Sequence, residues 1–206
     1  MDKNLLDYLH HQIIPQYQSL DQAHQMDHVE KVIHDALKIA RDYPVNLDMV
    51  YVIACFHDLG LLTDRRSHHI IGGNMLFEDH MIHAYFSKDE INLMKEAIED
   101  HRASNENPPR SIYGKIIAEA DRNLDPMTIF KRTLQFGLKH SSIYDKDQQI
   151  ERAIDHIKDK YGPKGYLKLW LNTEQNQIGL KKIHMLLEDE PQLTNILKQI
   201  YDEIEK

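Results

Sequence analysis

The sequence predicts an all-α protein, on three observations. Apolar residues recur at i, i+3, i+4 and i+7 rather than alternating. No Asn-Gly or Asp-Gly pair lies between alternating runs, so no hairpin is expected. Glycines and prolines fall between the periodic segments: Pro44, Gly60, Gly72-Gly73, Pro108-Pro109, Pro126, Gly162-Pro163 and Pro191.

The elements follow in order. Val29, Val32, Ile33, Ala36, Leu37 and Ala40 form the first long stripe. Met49 to Phe56 is a continuous apolar run, and Gly60 is placed to end its helix as a C-terminal glycine. Ser87 followed by Glu90 reads as a capping box. It opens a helix striped by Leu93, Met94, Ala97 and Ile98 that ends near His101. Ile112, Ile116, Ile117 and Ala120 make the next stripe. Ile150, Ala153, Ile154 and Ile157 follow, and Ile183, Leu186 and Leu187 begin the last. About eight to ten helices are expected, with no repeat and no flexible linker, in one domain over residues 1–206.

Composition removes several classes of function. The 206 residues carry a net charge of −8, which leaves no electrostatic footprint for a nucleic-acid polymer. The longest apolar run spans Met49 to Phe56, far short of the roughly 20 residues of a membrane helix. The N-terminus mixes charge and histidine into its apolar positions, so no signal peptide is expected. The single cysteine, Cys55, excludes an internal disulfide and fits a reducing, cytoplasmic setting.

The chain holds 14 histidines, and some of them face inward. His101 follows Met94, Ala97 and Ile98 on one helical face, and Asp121 continues the stripe of Ile117 and Ala118. His28 shares a face with Val32, and Asp58 closes the apolar segment VIACFHD. Burying unpaired carboxylates costs several kcal/mol each. A divalent metal satisfies imidazoles and carboxylates together. Such a donor set suits Mn, Fe, Co, Ni or Zn more than Mg.

The order H…HD…D, carried by His28, His57-Asp58 and Asp121, resembles the signature of the HD-domain metal-dependent phosphohydrolases. The tetrapeptide HDLG, the lead-in Asp21-x-x-His24 and the segment His28-Val-Glu-Lys-Val strengthen the likeness, which covers residues 20–140. The stretch GYLKLWLNTEQNQIG is similar to the tail of small members of uncharacterised substrate. The resemblance implies a metal-site core over residues 20–140, a helical extension over 141–206, and a metal held by His28, His57, Asp58 and Asp121. Some members hold two metals. Here His68 fits the extra ligand in His68-His-Ile-Ile-Gly72-Gly73, with His69 one place off, and His101 fits the next. Asp58 would then bridge. A one-metal site stays open beside the two-metal one. The Gly-Tyr-Pro element of the cyclic-di-GMP-hydrolysing branch is absent from the sequence.

The activity so implied is hydrolysis of a phosphate or pyrophosphate ester of a small molecule, with a nucleotide the favoured class, by metal-activated water. Asp58, Arg122 and Lys31 are the candidate catalytic residues. Arg102, Arg122, Arg65, Arg66 and Arg110 are the candidate phosphate contacts. The expected partner is a small phosphorylated substrate, with no membrane and with a homodimer allowed. Three rivals stand: a di-iron oxygenase on the same scaffold, a non-catalytic metal-containing binding module, and a helical interaction protein without metal.

Overall fold

The computed structural model describes residues 1–20, 26–105, 107–122, 124–143 and 145–205, and these contain helices and no strand. The lead-in residues Asp21 and His24 lie outside the described residues. The chain divides into two compact units, Met1–Arg122 and Asn123–Lys206.

The first unit opens with α1 (Lys3–Tyr8), a π turn (Leu9–Ile13) and a 3-10 turn (Ile14–Ser19). Then come α2 (Met26–Ala40), α3 (Leu47–Phe56), a 3-10 turn (Leu59–Leu62), α4 (His68–Glu78), α5 (His80–His83), α6 (Lys88–Asp100) and α7 (Ile112–Asp121). Helix α2 packs on α3 and α7, and α6 packs on α3, α4 and α7. The faces that meet are the predicted stripes. Val29 and Val32 of α2, Ile53 of α3, Met94 and Ile98 of α6 and Ile116 of α7 are all buried. Each such side chain contributes about 1.5–3 kcal/mol on burial. Side-chain caps fix where three helices begin. Asn46 accepts from the Asp48 and Met49 amides, Ser87 and Glu90 form the expected capping box, and Ser111 accepts from the Gly114 amide.

The second unit holds α8 (Pro126–His140), α9 (Lys146–Tyr161), α10 (Glu174–Glu188) and α11 (Glu190–Ile204). Its core gathers Phe130 and Leu134 of α8, Ile150 and Ile157 of α9, and Leu193 and Leu197 of α11. The two compact units part after Arg122. Helix α8 belongs with α9 and α11 because its apolar face is buried against theirs.

Two glycine readings are corrected. Gly60 does not end α3 in a left-handed conformation, since no described residue has a positive φ. It lies in the 3-10 turn Leu59–Leu62, where a Cβ would sit 2.7 Å from the His68 carbonyl carbon and 2.8 Å from the Gly72 amide nitrogen. The pair Gly72-Gly73 is not a break either. It lies inside α4, where a Cβ on Gly72 would come 3.0 Å from the Phe56 carbonyl oxygen and one on Gly73 3.2 Å from Lys95. Both positions allow backbones to approach closely, which brings the end of α3 and the start of α4 together. Eleven α-helical segments exceed the eight to ten expected among the described residues. The short α1 and α5 carry too few apolar residues to form a stripe. No helix among the described residues is long and apolar enough to cross a membrane.

Candidate metal centre

Every residue of the predicted donor set lies in the first unit. His28 sits in the first turn of α2, His57 caps the C-terminus of α3 with Asp58 next, His68 opens α4, His101 caps α6 and Asp121 ends α7. Helix ends therefore supply most donors, and the packing of α2, α3, α4, α6 and α7 brings them to one place.

The donors form two groups. In the first, His28, His57, Asp58 and Asp121 offer atoms that all lie within 4.8 Å of one another. His28 Nε2 is 3.4 Å from Asp58 Oδ2 and 3.3 Å from Asp121 Oδ1. His57 Nε2 is 3.4 Å from the same Asp58 oxygen and 3.9 Å from Asp121. In the second, His68 and His101 meet the other oxygen, Asp58 Oδ1, at 3.5 and 3.4 Å. Asp58 thus presents one carboxylate oxygen to each group. His69 joins neither. Its ring stands edge-on to His68 and its buried Nδ1 has no hydrogen-bond partner. The geometry so distinguishes His68 from His69.

Three histidines donate Nδ1–H to a backbone carbonyl: His57 to Ala54 at 2.8 Å, His68 to Arg65 at 2.9 Å and His101 to Ile98 at 2.6 Å. This leaves each Nε2 as a lone pair aimed at the centre, the usual outer support of a metal-ligating imidazole. His57 Nε2 lies 3.3 Å from His28 Nε2, and His68 Nε2 lies 3.3 Å from His101 Nε2. Imidazoles converging on carboxylate oxygens are donors that a divalent ion accepts together, so the donor chemistry fits a divalent ion in each group.

The charges follow from this crowding. Burial raises the Asp58 carboxyl, but His57, His101 and His28 around it hold it well below the usual carboxylate range. Burial likewise opposes ionisation of Asp121, and His28 overcomes it, keeping the carboxyl low. His28 is pulled down by burial yet pushed up to about 9 by Asp121 and Asp58. His68 is driven down to about 4 by burial and by neighbouring His101, and stays neutral. Of the two carboxylates, Asp121 is the more exposed, at 25% against 6% for Asp58.

The predicted cations separate. Arg122 is buried beside Asp121; its Nη1 donates to the Ala118 carbonyl, and its Nε is buried without a partner. Arg102, next to His101, donates from Nη1 to the Arg66 carbonyl at 2.8 Å, and Arg65 and Arg66 are exposed. Lys31 is paired with Asp35 one turn along α2. Arg110 is not brought to the donor groups but strapped to α6 by Glu99 at 2.7 Å, Asp100 at 2.9 Å and Glu96 at 3.5 Å. Those carboxylates neutralise it, a pairing invisible in sequence because it joins a loop to a helix.

Sequence reading missed Tyr17. This fully buried side chain of the Ile14–Ser19 turn accepts from the Asp58 amide at 3.2 Å and donates to the Cys55 carbonyl at 3.1 Å. No local signal marks it, because a tyrosine in an apolar turn reads as packing.

Fold and site together define a helical protein with paired His/Asp groups that share one carboxylate and fit divalent cations. Residues 26–124, just under half of the chain, match the HD domain. Over 74% of this chain and 84% of the other, the fold is similar to the crystal structure of a predicted HD superfamily hydrolase from an uncultured Thermotogales bacterium, with a TM-score of 0.50 and 22% identity. Among curated proteins, none matches this chain.

Proposed function

We propose that this chain is a metal-dependent phosphohydrolase acting on a phosphate or pyrophosphate ester of a small molecule, with a nucleotide as the favoured class. The observation that carries the reading is the division of the Asp58 carboxylate between two histidine groups, which suits two cations close together. Mn, Fe, Co, Ni or Zn suits these donors better than Mg. When bound, such ions supply an acidified water near neutral pH and a Lewis acid for a phosphoryl oxygen. The protein's own residues do the rest. The carbonyls of Ala54, Arg65 and Ile98 hold three rings in register. Arg122 and Arg102 follow ligands directly in the chain and offer planar donors to phosphoryl oxygens.

The test is phosphate release by full-length protein loaded with Mn(II), across nucleoside mono-, di- and triphosphates, sugar phosphates and pyrophosphate. Turnover on at least one class, abolished by Asp58→Asn, supports the reading. Metal retention without turnover on any of them refutes it in favour of a binding module. The shared carboxylate also favours a second reading, a di-iron oxygenase. Iron-dependent oxygen uptake on addition of a small organic substrate, with no phosphate release, would select it.

A further inference from the structure

We propose that Tyr17 is the positioning residue of this site: its hydroxyl occupies the break after α3 and fixes the backbone of Asp58, so that one carboxylate oxygen faces each metal group. The inference rests on the metal-dependent reading above.

The geometry requires a break. In a continuing helix, adjacent residues project about 100° apart, so His57 and Asp58 could not serve one centre. Yet His57 Nε2 and Asp58 Oδ2 are 3.4 Å apart. The chain achieves this because Asp58 leaves the helix, with φ −110° and ψ 3°. In a regular helix the Ala54 carbonyl would accept the Asp58 amide; here it takes the His57 ring N–H at 2.8 Å. The Asp58 amide donates to Tyr17 at 3.2 Å, and the Cys55 carbonyl accepts the tyrosine proton at 3.1 Å. One hydroxyl thus satisfies the donor and the acceptor on either side of the break, as side chains inserted into a helix ladder do. Tyr17 Oη also stands 3.5 Å from His57 Nδ1, but that nitrogen's proton goes to Ala54. The tyrosine is fully buried, and its turn packs on α2 and on the Leu59–Leu62 turn. It comes from the chain before residue 26, outside the matched HD domain.

The experiment is Mn(II) binding to full-length protein, followed by the electron paramagnetic resonance of the free ion, with the melting temperature of metal-stripped protein measured alongside. Tyr17→Phe keeps the ring and removes both bonds. Binding of both ions is expected to weaken together, by roughly 10–100-fold, as loss of outer support does at metal sites. Tyr17→4-aminophenylalanine keeps a donor for Cys55 but lacks a good acceptor for the Asp58 amide. It is expected to weaken binding as well, and it carries the test if the first variant does not fold. Affinity within about threefold of the unaltered chain for either folded variant, whatever happens to the melting temperature, overturns the inference, because a purely structural tyrosine moves stability alone. An unaltered chain that binds no Mn(II) overturns the metal-dependent reading first and this inference with it.

Discussion

Gly60→Ala tests how closely the second metal group depends on backbone contact. The added Cβ would lie 2.7 Å from the His68 carbonyl carbon and 2.8 Å from the Gly72 amide nitrogen, where ordinary contact begins at 3.4 Å. Both neighbours are backbone, so no rotamer change relieves the overlap. The His68 carbonyl oxygen lies nearer still, so the Leu59–Leu62 turn and the start of α4 must part by well over about 0.7 Å, the difference between ordinary contact and the 2.7 Å of the carbonyl carbon. Overpacking of this kind costs about 1–3 kcal/mol, and rigid neighbours place this site near the upper end. A 3 kcal/mol loss lowers the melting temperature by roughly 6–12 °C in a protein of this size. The same displacement moves His68 relative to Asp58 and His101. Metal sites tolerate about ±0.2 Å, so the second group should lose its ion while His28, on α2, and Asp121, on α7, still serve the first. Calorimetric melting and elemental analysis after Mn loading read both effects. A variant that melts within about 2 °C of the unaltered protein and keeps two ions would refute the reasoning.

Three further outcomes are expected. The folded pKa of His28, about 9, lies above its ordinary 6.5, so its proton stabilises the metal-stripped fold fully below about pH 6.5, and that contribution is lost as pH rises through about 9. Metal uptake near pH 7.5 should therefore release about one proton from His28 and none from His68, already neutral with a pKa of about 4; calorimetry in two buffers of different ionisation enthalpy measures this, and a buffer-independent heat contradicts it. His68→Gln should remove one ion per chain and Asp58→Ala both, because only Asp58 serves both groups; equal metal content in the two variants by elemental analysis would sink the shared-carboxylate assignment. Ser87→Ala deletes the capping box of α6, whose far end carries His101, and should cost about 1 kcal/mol in urea unfolding with the number of bound ions unchanged.

Much of this protein is legible in its sequence, for a physical reason. Helical periodicity is local, so the stripes on α2, α6, α7 and α9 appear without knowledge of what they pack against. The inward side of a helix is also a local property, which is why His28, Asp121 and His101 stand out as polar residues on apolar faces. Capping is equally local, and the Ser87–Glu90 box is where the chain says it is. Sequence by itself therefore determined an all-α chain carrying an ordered set of buried imidazoles and carboxylates.

Tertiary structure decided what depends on two elements at once. Motif spacing favours His68 over its neighbour His69, but the close approach of α4 to the Leu59–Leu62 turn is what aims His68 at Asp58. Gly72-Gly73 looks like a break until Phe56 and Lys95 are found against it. Arg110 looks like a free cation until three carboxylates of α6 surround it. Helix α8 takes α9 and α11 as its partners, a pairing that no stripe on α8 alone announces. The division of Asp58 between two groups arises at a helix break closed by Tyr17, some forty residues earlier in the chain. Local patterns specify which faces are buried, but which buried groups meet is set by the packing of elements distant in sequence.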